Sequence, residues 1–364
     1  MPAFPVATPQ RTYPALVERG VLSRVGSFLP DQVSKIFIVT TRDVWEFYGE
    51  QLVSSLPRGR FYPLFFPGGE DRKRMSEVEI LAERMAALGG DRLSTVIAFG
   101  GGIVNDLGGF LASIFMRGIP VIQVPTTLLA QVDAAVGGKT GANLVNGKNL
   151  VGSFHQPLAV LIDPEVLGSL PEREFRAGLY EVIKCGIIRS PELFRILADR
   201  SEAVLGHDGP TLDAIIGESV RIKAEVVTAD ERESDLRRIL NFGHTIGHAL
   251  EAATHYSHFL HGEAVAFGMK AATHLARMRD LLPMADAMMV LSTIDLYGPI
   301  PEVPGEVTPA ELARLTLFDK KTLGGQVHFV LPEKIGSVRI VSGIPQEQVQ
   351  AAVEAALERP AAAP

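Results

Sequence analysis

Apolar runs alternate with amphipathic stretches along the first half of the chain. Four short runs are apolar at most positions: KIFIVT (35–40), STVIAFGGG (94–102), IPVIQVPTT (119–127) and AVLID (159–163). Such runs predict strands that are covered on both faces. By contrast, MSEVEILAERMAAL (75–88) spaces its apolar residues three or four positions apart, as an amphipathic helix does. The repeated alternation of strand and helix favours a doubly wound, largely parallel sheet.

The pattern changes after about residue 172, and long stretches with helical periodicity continue to about residue 314. A late β-hairpin is predicted over GGQVHFVLPEKIGSVRIV (324–341), followed by a final helix over QEQVQAAVEAALE (346–358). We therefore predict two domains: an α/β domain over residues 1–165 and a mainly helical domain over residues 166–364.

The composition narrows the classes of protein that need to be considered. With 46% apolar and 21% charged residues in a chain of 364, the protein can bury a core without disulfides. A net charge of -7 does not favour binding to nucleic acid or to an anionic membrane. Cys185 is the only cysteine, which fits a reducing compartment. Because neither a signal-peptide pattern nor a membrane-spanning apolar run is present, we expect a cytoplasmic protein without nucleic-acid or membrane partners.

Glycine-rich segments follow several of the predicted strands. GGGIVND (100–106) ends a strand and opens a helix, where backbone N–H groups can approach a phosphate. Charged and hydroxyl side chains occur in PGGEDRK (67–73), PTTLLAQVD (125–133) and GGKTGANLVNGKN (137–149). Each segment alone also fits a tight turn, a helix cap or a solvated loop, so none by itself establishes a nucleotide site.

Histidines and a glutamate on apolar helices raise the question of a metal ion. In NFGHTIGH (241–248), His244 and His248 lie four residues apart on one helix face, and this spacing by itself suggests joint chelation of one ion. Glu181 shares an apolar face with Lys184, which fits a structural ion pair equally well. His261 begins a third apolar helix, and two histidines with one glutamate suit a Lewis-acid Zn²⁺. Similar local arguments apply to other histidines: His255, His258 and His274.

Basic residues gather in the helical half of the chain: Lys223, Arg237, Arg238, Lys320 and Lys321. Each of them alone fits a solvated helix face. Their number beside a suspected metal suits a substrate that carries both a phosphate and a carboxylate.

Six segments together resemble the 3-dehydroquinate synthase family: GGGIVNDLGGF, MRGIPVIQVPTTLLAQVDAAVGGKTG, GKNLVGSFHQP, LPEREFRAGLYEVIK, ILNFGHTIGHALE and HGEAVAFGM. They occur in the family's order and, with looser similarity around them, cover most of the chain from Pro67 to Pro332. The resemblance implies a Rossmann-like NAD-binding domain followed by a helical metal-binding domain.

The same resemblance implies a reaction, namely conversion of 3-deoxy-D-arabino-heptulosonate 7-phosphate to 3-dehydroquinate and phosphate. This is the second step of the shikimate pathway. It proceeds by transient oxidation at C5 by NAD, elimination of phosphate, re-reduction, ring opening and aldol closure. The resemblance also implies a homodimer.

The resemblance assigns roles to individual residues. The ligands of Zn²⁺ or Co²⁺ fall on Glu181, His244 and His261. Substrate-binding and catalytic residues fall on Arg117, Asp133, Lys139, Asn149, Lys184, Lys223, Arg237, Asn241 and His248, together with Lys320 or Lys321. Contacts to NAD fall on Glu70, Lys73, Gly101, Gly102, Asp106, Thr126, Thr127, Asp133, Lys139, Lys148, Ser169, Leu170 and Glu174.

Three positions depart from the family pattern. Thr41 stands where an acid near the adenosine ribose is common, and Asp43 is a nearby substitute. Asn105 stands where glycine is usual, and Asn tolerates unusual backbone angles. Val166 replaces a common aromatic residue near the cofactor.

Three rival interpretations remain from the sequence. The first is another sugar-phosphate cyclase, such as 2-deoxy-scyllo-inosose synthase or a sedoheptulose-phosphate cyclase, although the GGKT and NFGH segments follow the dehydroquinate pattern. The second is a metal-dependent glycerol or glycerol-1-phosphate dehydrogenase, which the lysine-bearing loop over residues 137–149 and the basic cluster argue against. The third is a non-catalytic nucleotide-binding or metal-sensing protein that has kept the fold, which would not need this complete set of lysines, asparagine and ligands.

Overall fold

The computed structural model describes residues 2–145, 147–317 and 326–358. The chain forms two compact units. We call them the α/β unit (Met1–Phe175 and Ile216–Glu231) and the helical unit (Arg176–Ile215 and Arg232–Pro364). The predicted division after residue 165 treats each domain as one continuous stretch, whereas Ile216–Glu231 returns to the α/β unit.

A seven-stranded sheet forms the centre of the α/β unit, in the order β1-β2-β9-β6-β5-β3-β4. Strands β1 and β2 are antiparallel, and every other pairing in this sheet is parallel. A separate hairpin, β7–β8, comes from the glycine-rich segment. The strands of this unit are β1 (Ala3–Ala7), β2 (Thr12–Val17), β3 (Ile36–Thr40), β4 (Phe61–Phe65), β5 (Thr95–Gly100), β6 (Val121–Pro125), β7 (Lys139–Leu144), β8 (Gly147–Phe154) and β9 (Ala159–Ile162).

The central strands are apolar throughout because both of their faces are buried. In β3, Phe37 and Val39 pack in one core cluster, while Ile36 and Ile38 pack in another. The first cluster includes residues of α2 (Met75–Ala87) and α3 (Gly102–Ile114), and the second includes Leu52 of α1 (Arg42–Val53). Helices on both faces of a parallel sheet confirm the predicted doubly wound architecture.

The helical unit confirms the change of pattern seen in the second half of the sequence. Its helices are α4 (Glu172–Arg189), α5 (Pro191–Asp199), α6 (Ser201–Leu205), α7 (Gly209–Ala229), α8 (His244–Ala253), α9 (His261–Met278), α10 (Met284–Leu296), α11 (Pro309–Thr316) and α12 (Gln346–Leu357), of which α4 and α7 extend into the α/β unit. The predicted late hairpin is β10 (His328–Lys334) with β11 (Ser337–Ser342). No helix within the described ranges is both long and apolar enough to cross a membrane.

Candidate active site

The predicted cofactor residues of the α/β unit follow the carboxyl ends of parallel strands. They comprise Glu70 and Lys73 after β4, Gly101 and Gly102 after β5, Thr126 and Thr127 after β6, and Ser169, Leu170 and Glu174 after β9. Because these strands run parallel, the segments that carry the residues leave the sheet at a single edge. Ligands of open α/β sheets bind outside that edge.

Close packing favours glycine at the two positions that follow β5. A Cβ on Gly101 would lie 3.0 Å from Cγ2 of Thr127, and a Cβ on Gly102 would lie 3.1 Å from Cβ of Ala134. Thr127 also caps the next short helix, since its Oγ1 accepts a hydrogen bond from the N–H of Ala130 at 3.2 Å. The tight turn and the helix cap that the sequence suggested are therefore present. The first backbone N–H groups of α3 have no partner within the helix, as at any helix start, and such groups can bind an anion.

The segment after β4, the helix α3 and the hairpin β7–β8 meet around Lys73, which is 3% exposed. Its Nζ donates to Oδ2 of Asp106 at 2.5 Å and to Oδ1 of Asn149 at 2.6 Å. Asn143 joins the group by donating to Oε1 of Glu70 at 2.8 Å and accepting from the backbone N–H of Asn149 at 2.8 Å. Desolvation raises the pKa of the Asp106 carboxyl, and the adjacent Lys73 ammonium opposes that rise. The network holds predicted cofactor and substrate residues in one polar cluster.

A second ion pair of the α/β unit joins Lys223 and Asp133. Lys223 lies on α7 and is 5% exposed, and its Nζ is 2.5 Å from Oδ1 of Asp133. Lys139 is exposed at the start of β7, and Lys148 on β8 lies with its Nζ 3.9 Å from Oε1 of Glu70. Arg117 has a left-handed backbone with φ of 70°, which directs the chain sharply into β6.

Three helices of the helical unit bring Glu181, His244 and His261 together. Nε2 of His244 lies 3.7 Å from Oε1 of Glu181, and Nε2 of His261 lies 4.0 Å from the same oxygen. One donor atom from each of the three residues lies within 4.8 Å of the others. Two ligands of a tetrahedral zinc ion are about 3.4 Å apart when each is about 2.0–2.1 Å from the metal. The observed spacing therefore approaches that of a metal centre.

The surroundings of Glu181 fit a bound cation. The residue is 1% exposed, and Nζ of Lys184 forms an ion pair with its Oε2. Oε1, by contrast, has no hydrogen bond from the residues that the structure describes and faces the two imidazole nitrogens. A buried carboxylate is costly when its lone pairs are unsatisfied, and coordination to a metal ion satisfies them. The donor set of one carboxylate and two imidazoles is also one that zinc accepts.

His248 belongs to the same cluster of rings but does not pair with His244 as a chelate. Its ring centre is 5.4 Å from that of His244 and 5.9 Å from that of His261. Among the described residues, none of the potential metal-binding groups contains both His244 and His248. The geometry therefore gives no support for joint chelation by His244 and His248, and it groups His244 with Glu181 and His261 instead.

Glycines allow the three helices to approach closely enough to build this cluster. Gly243, with φ of 79°, turns the chain into α8 directly before His244. A Cβ on Gly262 would lie 1.9 Å from the carbonyl oxygen of Ala177 on α4, so α9 packs on the α4 backbone one residue after His261. A Cβ on Gly268 would lie equally close, at 1.9 Å, to the carbonyl oxygen of Gly243. Backbone contact between helices thus fixes the positions of the candidate ligands.

Two further predicted residues lie on a short 3₁₀ helix, Leu236–Asn241, just before α8. Arg237 is 3% exposed, and Asn241 donates a hydrogen bond from Nδ2 to Oε1 of Glu233 at 2.5 Å. Lys320 and Lys321 lie outside the described residues. The remaining histidine candidates are elsewhere: Nε2 of His258, for example, lies 3.0 Å from the carbonyl oxygen of Glu302.

The positions that depart from the family pattern have structural explanations. Asn105, 1% exposed on α3, donates from Nδ2 to the carbonyl oxygen of Ala98 at 3.0 Å and so ties the helix to β5. Val166 is 3% exposed and packs in the apolar core, which suits an aliphatic side chain. Thr41 precedes α1, and Asp43 lies in the first turn of that helix.

Sequence reasoning missed Asn143, Glu233 and Glu251, each of which touches a predicted site residue. Glu251 carried a usable signal, because it lies three residues after His248 and seven after His244 on the same helix face. Asn143 and Glu233 carried no comparable signal, since their partners are set by loops.

Comparison with known proteins gives consistent results along the chain. Residues 63–177 match the family model described as 3-dehydroquinate synthase N-terminal, and residues 178–322 match the corresponding C-terminal model. The 3-dehydroquinate synthase of Solibacter usitatus (strain Ellin6076) is 58% identical over 357 residues, covering 98% of this chain and 100% of its own.

Solved structures of related enzymes have the same fold. A 2-deoxy-scyllo-inosose synthase complexed with carbaglucose-6-phosphate, NAD+ and Co2+ superposes with a TM-score of 0.87 at 27% identity, covering 97% of this chain and 99% of its own. The 2-epi-5-epi-valiolone synthase of Streptomyces hygroscopicus subsp. jinggangensis 5008, with NAD+ and Zn2+ bound, gives 0.88 at 29% identity, covering 96% and 98%.

Proposed function

Because the chain belongs to the 3-dehydroquinate synthase family, we propose that it converts 3-deoxy-D-arabino-heptulosonate 7-phosphate to 3-dehydroquinate and phosphate. The observation that carries this proposal is the buried Glu181 carboxylate facing two imidazoles, in a chain that is 58% identical over 357 residues to a 3-dehydroquinate synthase. This enzyme performs the second step of the shikimate pathway.

The proposed cofactors are NAD and a divalent metal, either Zn²⁺ or Co²⁺, as in the related structures. When bound, NAD supplies a reversible hydride acceptor at C5 and the metal supplies Lewis-acid stabilisation of developing negative charge. Glu181, His244 and His261 would hold the metal. The segments after β4, β5 and β6 would hold NAD, with Lys73 and Asp106 at the centre of their polar network.

The charged residues of each unit have a proposed part in binding and proton transfer. Lys184, 1% exposed beside Glu181, would place a fixed ammonium next to the reacting oxygens. His248, one helical turn from His244, would bind a substrate oxygen or relay a proton. Lys139 and Arg117 would balance the charge of the phosphate and carboxylate groups. The remaining proposed substrate contacts are Asp133, Asn149, Lys223, Arg237 and Asn241, together with Lys320 or Lys321.

The direct test is to incubate the purified chain with the heptulosonate phosphate, NAD⁺ and Zn²⁺ and to measure phosphate and 3-dehydroquinate. We expect both products in equal amounts without net change in NADH absorbance, since the hydride returns to the substrate. Omission of NAD⁺ or addition of a chelator should stop the reaction. Absence of phosphate release would refute the proposal, and net NADH accumulation would favour a dehydrogenase. Turnover of sedoheptulose 7-phosphate instead would favour another sugar-phosphate cyclase.

We also propose a cytoplasmic homodimer without nucleic-acid or membrane partners. The proposal rests on the family, on the net charge of -7 and on a single cysteine, Cys185, which is buried. Sedimentation equilibrium should give twice the mass of the 39.3 kDa chain, and a monomer mass would contradict this assignment.

A further inference from the structure

Glu251 lies against one of the proposed metal ligands. It is on α8 and is 2% exposed. Its Oε2 lies 3.3 Å from Nδ1 of His261. An ionised carboxylate accepts hydrogen bonds and cannot donate them, so a hydrogen bond to ionised Glu251 requires the tautomer of His261 that carries its proton on Nδ1.

The hydrogen bond at Nδ1 determines what the other ring nitrogen of His261 can do. With the proton on Nδ1, Nε2 keeps its lone pair, and this atom lies 4.0 Å from Oε1 of Glu181. His244 has the same arrangement with a different partner, because its Nδ1 lies 3.1 Å from the carbonyl oxygen of Phe242 and its Nε2 faces Glu181 at 3.7 Å. Both imidazoles thus direct Nε2 to one carboxylate.

His261 is the more exposed of the two imidazoles. The side chain of His261 is 32% exposed, against 10% for His244, so packing restrains its ring less. We propose that Glu251 is a positioning residue, which holds the His261 imidazole in the tautomer and orientation that present Nε2 to a divalent cation. The negative charge of Glu251 also makes Nε2 a stronger donor. This proposal rests on the metal-dependent function proposed above.

A competing interpretation makes Glu251 a metal ligand itself. Donor atoms of His248, Glu251 and His261 also lie within 4.8 Å of one another. A glutamine at position 251 could act as a positioning residue but not as a metal ligand. The side-chain oxygen of glutamine accepts a hydrogen bond from Nδ1 as the carboxylate does, but a neutral amide is a poor ligand for zinc.

The test is zinc affinity, measured without substrate by competition with a chromogenic chelator. We expect Glu251→Leu to lower the affinity about 10–100-fold and Glu251→Gln to lower it only about threefold, because Gln keeps the acceptor. In a His261→Ala background, Glu251→Leu should cause no further loss, since the imidazole that it orients is gone. The absorption bands of the Co²⁺-substituted protein should shift in Glu251→Leu and stay near the wild-type positions in Glu251→Gln.

Stability separates positioning from a general structural role. Glu251→Gln keeps the hydrogen-bond acceptor, so its metal-free form should resist urea nearly as well as the wild type, and its zinc affinity tests the proposal even where Glu251→Leu is destabilised. Unchanged zinc affinity in Glu251→Leu overturns the proposal. Equal losses of zinc affinity in Glu251→Gln and Glu251→Leu also overturn the proposal, because they would make Glu251 a ligand. A loss on adding Glu251→Leu to His261→Ala that equals its loss in the wild-type background has the same meaning. A chain that shows the expected affinities but releases no phosphate refutes the proposed function alone.

Discussion

Replacing Gly262 with alanine tests whether the close approach of α9 to α4 builds the metal centre. The added Cβ would lie 1.9 Å from the carbonyl oxygen of Ala177, whereas real Cβ atoms essentially never approach closer than 3.0 Å. The two backbones must therefore separate locally by at least about 1 Å. Ala177 lies four residues before Glu181 on α4, and Gly262 directly follows His261. The separation thus acts on the two ligands themselves.

The size of this displacement is large compared with the tolerance of a metal site. The distance between Nε2 of His261 and Oε1 of Glu181 is 4.0 Å, and an opening of about 1 Å moves it further from the spacing of about 3.4 Å that two zinc ligands need. Functional groups must be held within about 0.5 Å of their working geometry. We expect Gly262→Ala to lose zinc affinity at least about 100-fold and to lose about 1–3 kcal/mol of stability through overpacking.

Zinc affinity by chelator competition and urea unfolding of the metal-free protein measure the two effects. Gly217→Ala is the matched control, because Gly217 lies within α7 and the nearest atom to its added Cβ is 3.9 Å away. The control should bind zinc as the wild type does and gain about 0.5–1 kcal/mol from the better helix propensity of alanine. Wild-type zinc affinity in Gly262→Ala would refute the idea that backbone contact between α4 and α9 sets the ligand spacing.

Three other substitutions test the remaining chemistry. Lys184→Met should raise the zinc affinity, because the ammonium beside Glu181 competes with the cation. The same substitution should lower turnover at least about 100-fold, and normal turnover would remove Lys184 from the site. Burial lowers the pKa of His155 below 6.5, so near this pH the unfolded chain takes up a proton that the folded chain does not. The free energy of unfolding therefore falls as the pH drops through 6.5. In His155→Gln, urea titrations between pH 7.5 and about 5.5 should show a weaker dependence of this free energy on pH. Lys73→Met should weaken NAD⁺ binding at least about tenfold in calorimetry, because Asp106 loses its buried partner; unchanged affinity would contradict the cofactor assignment.

The parallel sheet was predictable because its central strands are buried on both faces. The apolar runs 35–40, 94–102 and 119–127 contain β3, β5 and β6. A short apolar run between two predicted helices fits few structures other than a buried parallel strand. The β1–β2 hairpin was missed because both strands carry a proline, at Pro5 and Pro14, and neither is uniformly apolar. β1 is also an edge strand, and edge strands leave a weaker pattern than central ones because solvent reaches part of them.

The polar network around Lys73 shows where sequence reasoning stops. Roles were assigned to Lys73, Asp106 and Asn149 through the family resemblance, because each lies on a different element and no short spacing joins them. Asn143, which joins Glu70 to the backbone of β8, was not predicted at all. Contacts of this kind depend on how separate elements meet at the sheet edge, and periodicity contains no information about that.

The helix face of α8 shows the same limit in a sharper form. His244, His248 and Glu251 form one stripe on α8, and their spacing alone predicts that neighbours on the stripe act together. The structure instead gives each end of the stripe a different distant partner: His244 faces Glu181, while Glu251 faces Nδ1 of His261. Which side chains of the stripe meet Glu181 and His261 depends on where α4 and α9 pack against it, and close contacts at Gly243 and Gly262 help to set that position. The spacing of a histidine pair therefore points to a helix face, but the packing of neighbouring helices decides which groups gather around each histidine.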